Sequence, residues 1–303
     1  MKFHKTTSLR KVVIGISMLV VSIFFISCDE GSKPDYLSEP APNVENLLES
    51  GWQLYNDGSY NDAYAKFLQA SERDASIPQV YLGLGYASFQ LGDLEDAVSN
   101  FQKTIAYSIF DSANADLLQN GSNAGLALSY LALERYDMAI SFASDLIKAD
   151  PVFKFAYDST VTVEDVFLAR ALSSFHLNDF ETAYFDVLNV DSGADFASVA
   201  SMETDTSVTI SGSSVNTGNG TAQFSISGKN IITVESVELN NATPERSYEV
   251  VDFVQGGAAA TIFGNPLPLA SQTLTVAYMN APDYGMFLDQ LMNEIVRLRE
   301  ENH

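Results

Sequence analysis

A second cysteine is missing from this chain of 303 residues, so Cys28 can form neither an intramolecular disulfide nor a cysteine-based metal site, and the core must hold the fold unaided. Cationic side chains are scarce as well: 16 Lys and Arg stand against 39 Asp and Glu, a formal net charge of −23. A field of that sign repels phosphate backbones, which bind through Lys and Arg, and so argues against a nucleic-acid partner. Histidine is nearly absent. Beyond residue 27 the chain has only His176, beside Phe175 at the end of an apolar run, and His303. No G-x-S-x-G elbow, H-E-x-x-H helix or phosphate-cradling glycine loop occurs, and Gly218-Asn219-Gly220 and Gly256-Gly257 read as turns. Asp186, Asp191 and Asp195 carry hard oxygen ligands but lack the D-x-D-x-D-G order of a calcium loop, and read as a solvated charge cluster. A facing carboxylate pair for glycoside hydrolysis is open by inspection, but nothing points to one. The expectation is a non-enzymatic protein with no metal and no other cofactor.

What is present begins with Lys2, Lys5, Arg10 and Lys11 ahead of an apolar run from Val12 to Ile26. Its 15 positions fall short of the roughly 20 that a spanning helix needs, so residues 1–27 read as a signal peptide. The stretch Phe25-Ile26-Ser27-Cys28 resembles a bacterial lipobox, with Phe25 where Leu is usual. The resemblance implies cleavage before Cys28 and lipidation of that residue; a retained membrane anchor is the alternative. Three acyl chains, at about 0.8 kcal/mol per buried methylene, would hold the protein firmly on a bilayer. Residues 28–43 contain three prolines and few apolar side chains, as a tether would. If flexible, that tether spans roughly 20 Å root-mean-square. The expected location is the bacterial cell envelope, lipid-anchored, with the outer membrane favoured and the protein facing periplasm or surface. Asp29 and Glu30 resemble both an enteric inner-membrane retention signal and the acidic surface-export signals of other Gram-negative lineages.

From Val44 to Asp195 the chain repeats a helix–turn–helix grammar. Four units align on the small residues Gly51, Gly85, Ala127 and Ala171, each followed 12 positions later by a second small residue, Ala63, Ala97, Ala139 and Ala183. The first interval, Ala63 to Ala97, is 34 residues; the next two lengthen to 42 and 44, with the surplus around Ser108–Leu117 and Val152–Val163. Gly58 and Gly92 suit a left-handed turn between the helices. Asn178 can adopt the same conformation, whereas Glu134 is a poor choice for it. The period and residue types resemble the tetratricopeptide repeat. The resemblance implies an α-solenoid of about four helix pairs over residues 44–195, a protein-binding role, and a concave side lined by the first helix of each pair.

On that basis the inward-facing, partner-binding residues are Trp52, Tyr55, Tyr86, Phe89, Leu128, Leu131, Leu172 and Phe175. The Lys and Asn with which some members grip an acidic carboxyl terminus are missing there. An aromatic side chain buries about 150–250 Å², so leaving four bare would exceed the roughly 300–600 Å² patch a soluble monomer shows. Something must cover the groove, either a partner's peptide or helix or the chain's own tail.

After Asp195 the composition turns to Ser, Thr, Gly, Asn and Val and the helical period ends. Strands are predicted at 207–211, 222–227, 231–239, 248–254, 258–263 and 273–278, which make residues 200–281 a small β-sandwich-like module. Residues 283–303 follow as a C-terminal amphipathic helix, with Asp283 as cap and Phe287, Leu288, Leu291, Ile295 and Leu298 on one face. Three placements suggest themselves for it: a cap on the stack, a seat on the β module, or the groove. The leading function is a scaffold or adaptor of the envelope, in outer-membrane assembly or secretion. The alternative is capture of a glycan or peptide at the surface through the β module.

Overall fold

The computed structural model describes residues 43–210, 215–216, 218–242, 245–253, 255–264, 266–269 and 272–302. The signal peptide, Cys28 and all of the tether but Asn43 lie outside them. Among the described residues eight helices come first: α1 (Val44–Asn56), α2 (Tyr60–Arg73), α3 (Pro78–Leu91), α4 (Leu94–Ser108), α5 (Ala115–Ala132), α6 (Tyr136–Ala149), α7 (Val163–His176) and α8 (Phe180–Val190). Their ends follow from local chemistry. Asn43 caps α1 by accepting from the Asn46 N–H at 2.8 Å. Pro78 opens α3, where its missing N–H costs nothing. Thr162 and Asp165 form a reciprocal capping box at the start of α7.

Within each pair the turn is made by one residue at positive φ: Gly58 at 75°, Gly92 at 81°, Glu134 at 57° and Asn178 at 63°. The third turn is therefore as tight as the others, contrary to the reservation about Glu134. The carbonyl of Tyr130 accepts from Arg135 N at 2.8 Å just as that of Ser88 accepts from Asp93 N at 2.9 Å, and this closure outweighs the steric cost of a left-handed Glu.

Close helix crossing is enforced by glycine. A Cβ on Gly51 or on Gly83 would stand 2.5 Å from the Phe67 ring, and one on Gly85 or Gly125 would stand 2.6 or 2.2 Å from that of Phe101. Each phenylalanine thus sits in a slot between two first helices, its own and the next. Further along, a half-buried guanidinium joins three helices: Arg170 of α7 holds the buried Asp186 of α8 through two bonds of 2.7 and 2.8 Å and donates to Ser144 Oγ of α6 at 3.0 Å. Burial pushes the Asp186 carboxyl up from its ordinary range, and Arg170 opposes the shift.

The described residues of the β module form six strands, β1 (Ser201–Thr209), β2 (Thr221–Ser225), β3 (Ile231–Leu239), β4 (Glu249–Phe253), β5 (Ala259–Phe263) and β6 (Thr273–Asn280). They form two antiparallel sheets, ordered β1-β6-β3 and β2-β5-β4. Inward residues of both sheets, among them Val208, Phe224, Val237, Ile262 and Val276, share one core. The first strand begins six residues earlier than the sequence pattern marked, because Ser201–Asp205 pair with Val276–Asn280 while remaining largely solvated.

The last helix, α9 (Tyr284–Glu301), starts at Asp283, whose carboxylate accepts from the Met286 N–H at 3.1 Å. Its apolar face, Phe287, Leu291, Ile295 and Leu298, packs in one cluster with Leu168 and Ala171 of α7 and Ala183 and Val187 of α8. The helix caps the stack, the first of the three placements. Ile232 and Met279 belong to the same cluster, so the cap also joins the array to the β module. Arg297 clamps Asp191, just past α8, at 2.7 Å.

Candidate functional site

The face lined by α1, α3, α5 and α7 is divided in two. Over α1 and α3 it is occupied by the chain itself. The link between α6 and α7 turns back as a hairpin whose arms are tied by Phe155 N to Val161 O and Val163 N to Phe153 O, both 2.9 Å. At its tip Asp158 binds the Thr160 N–H at 3.0 Å. Along the outgoing arm Phe153, Phe155 and Tyr157 point inward while Lys154 and Ala156 stay exposed. Phe155 stacks on Tyr86 with centroids 4.3 Å apart, and Tyr157 lies flat on Trp52 at 4.5 Å.

Trp52, Tyr55 and Tyr86 are consequently 6, 3 and 1 % exposed. The two tyrosine hydroxyls are paired: Tyr86 donates to Gly121 O at 2.9 Å, while Tyr55 donates to Asp158 at 3.1 Å and accepts from Gln90 at 3.1 Å. Burial pushes both phenols well up, Gln90 lowering Tyr55 somewhat and Asp158 raising it again, so both stay protonated donors. These three residues offer no surface to a partner. The expectation that a partner or the C-terminal tail covers them is corrected: the cover is the insert at 152–163. The reason is visible in the order of residues, since aromatics at 153, 155 and 157 alternate as in a strand and bring one apolar edge to the groove.

The remaining half stays open. A cleft of about 520 Å³ is lined by Phe89 and Gln90 of α3, Leu128 and Leu131 of α5, Leu172 and His176 of α7, with Thr160 and Val161 of the hairpin forming one wall. Glu134 and Tyr136 stand at the rim, where Tyr136 stacks on His176 at 4.5 Å. Arg299 enters from α9 and is the one Lys or Arg among the lining residues. Of the eight residues singled out from sequence, Phe89, Leu128, Leu131 and Leu172 thus meet in one accessible cleft. Phe175 turns away and packs edge-on against Phe180 at 5.1 Å. Arg299 carried no signal in the sequence that tied it to the groove, because only the fold brings it there.

The acidic trio does not assemble. Asp186 is buried with Arg170, Asp191 binds Arg297, and Asp195 accepts from the Ala197 N–H at 2.9 Å. Among the described residues no cluster of three His, Cys, Asp or Glu could hold a metal ion, and no helix is long and apolar enough to cross a membrane.

Comparison with known proteins matches one helix pair to a family model and parts of the chain to solved structures. Residues 78–108, which are α3 and α4, match the tetratricopeptide repeat family model. No curated protein matches the chain. Among solved structures, the thermophilic TPR protein TTC0263 of Thermus thermophilus is 21% identical over 49% of this chain and 75% of its own, with a TM-score of 0.37. MamA from Desulfovibrio magneticus RS-1 is 15% identical over 50% and 94%, TM-score 0.26. The TPR2AB domain of yeast Sti1 in its pHSP90 complex is 13% identical over 50% and 77%, TM-score 0.21.

Proposed function

With tetratricopeptide-like helical repeats as the premise, we propose that this chain is a non-enzymatic scaffold that receives a partner protein's short apolar segment in the cleft between α3, α5, α7 and α9. We further propose that lipid on Cys28 holds it to a bacterial envelope membrane, the outer one in the first instance. The observation that carries the reading is the hairpin. An extended segment with aromatic side chains at alternate positions already seats on the neighbouring half of the same face, so the face has the shape and chemistry to take such a segment. The open half repeats that chemistry with Phe89, Leu128, Leu131 and Leu172.

Arg299 adds selection. It shares the cleft with the carboxylates of Asp165 and Glu134, so a segment with polar groups placed to meet both signs of charge is favoured over a purely apolar one. Photo-crosslinking in cells from a probe at Phe89, read by mass spectrometry, tests the reading. A discrete foreign protein linked there is the expected result and identifies the partner. Adducts confined to the chain's own hairpin would show a face filled from within and would sink the proposal.

A further inference from the structure

Successive helices of the array are joined by short turns and reverse direction, so the links between pairs emerge together on one edge. That edge carries Asn43, residues 74–77, residues 109–114 and the start of the hairpin link at residues 150–153; the turns within pairs lie on the other, and the hairpin tip reaches toward them where Asp158 meets Tyr55. Gln79, in the first turn of α3, donates to Asp111 at 2.7 Å and ties two of these links to each other.

Among the described residues of the array, three large apolar side chains are more than two-thirds exposed: Ile109 at 68 %, Phe110 at 81 % and Val152 at 82 %. All three stand on the link edge. They are held there. The Phe110 N–H donates to Tyr107 O at 3.1 Å, the Asp111 N–H to Ser108 O at 3.0 Å, and the Asp111 carboxylate also takes two bonds from the Asn114 amide. The Val152 N–H is bound by Asp150 at 3.2 Å. Near the within-pair turns the described large apolar side chains are less exposed, Leu177 at 41 % and Met138 at 40 %.

We propose that this edge rests on a lipid surface, with Ile109, Phe110 and Val152 entering the boundary between headgroups and acyl chains. The inference rests on the lipidation of Cys28 proposed above. The chain enters the array at Asn43 on the same edge, and the 15 residues from Asp29 to Asn43 reach roughly 20 Å if flexible. The opposite edge lies a further helix length of about 20 Å away, so a lipid anchor at Cys28 would favour this edge over that one. Three side chains are too few to recruit a protein from solution and sufficient to orient one already tethered. Asp74, Asp111 and Asp150 on the edge favour a zwitterionic surface over an anionic one. In this pose the cleft opens sideways, along the membrane.

The test uses the full lipidated chain in phosphatidylcholine vesicles whose acyl chains carry bromine near the headgroup. Phe110→Trp adds fluorescence to the constant background of buried Trp52, and Leu177→Trp does the same on the opposite edge. Bromine is expected to quench the Phe110→Trp increment by at least half and leave the Leu177→Trp increment unchanged. Flotation is read separately. A chain that fails to float overturns the lipid anchor and the proposal with it. A chain that floats with both increments equally bright overturns the edge assignment alone. A blue-shifted but unquenched Phe110→Trp increment would give the edge to a second copy or another protein, and also overturns it.

Discussion

In α1–α4 the helices cross glycine against phenylalanine, Gly51 with Phe67 and Gly85 with Phe101. In α5–α8 the corresponding positions hold Ala127 and Ala171 on the first helices and Ala143 and Val187 on the second, all fully buried. The two halves reach the same up-and-down packing by moving volume across the crossing. The difference extends to the inner face. The first half turns Trp52, Tyr55 and Tyr86 inward and needs a cover, which the 152–163 hairpin supplies. The second half turns Leu128, Leu131 and Leu172 inward, and their smaller apolar area is tolerable bare. A filled half stabilises; an open half is free to bind.

The sharpest way to break this contrast is to truncate one aromatic of the plug. Phe155→Ala should lower unfolding free energy by about 3–5 kcal/mol, measured by chemical denaturation. Leu131→Ala in the open cleft should cost less than half of that yet abolish crosslinking from Phe89. If the two variants lose similar stability, the halves do not differ as described. Next in size is Gly85→Leu. The Cβ alone would stand 2.6 Å from Phe101, so overpacking of about 1–3 kcal/mol is expected. Ala127→Gly, in the half already built around Cβ atoms, should lose only the helix-propensity difference of about 1 kcal/mol. An unchanged melting curve for Gly85→Leu would remove the slot from the account. The smallest effect runs the other way: Glu134→Gly should gain about 1 kcal/mol by relieving a left-handed non-glycine residue. A loss on thermal melting would mean the Glu134 side chain earns its place at the cleft rim.

Much of this was legible in the residues. The small crossing positions, the cap at Asp283 and the left-handed Asn178 act locally, and local rules reach them. Five of the six strands fell within a residue or two of their predicted starts because alternation and turn residues bounded them. The plug did not yield to the same reading, although Phe153, Phe155 and Tyr157 alternate as plainly as any strand. A hairpin of that length is recognisable as a hairpin, but its seat against Trp52 and Tyr86 depends on where the solenoid turns its inner face. The reading of Asp186 as solvated fails for a related reason: its partner Arg170 lies one helix away, at no spacing that marks a pair, and the carboxylate is buried against it.

The cap formed by α9 sets an order of events during synthesis. Leu168, Ala171, Ala183 and Val187 leave the ribosome long before Phe287, Leu291, Ile295 and Leu298, with the whole β module translated between them. Until the last helix arrives, the final pair has an uncovered apolar stripe. A nascent chain stalled short of residue 284 should therefore be a client for holding chaperones, and quality control can read the arrival of α9 from the disappearance of that stripe.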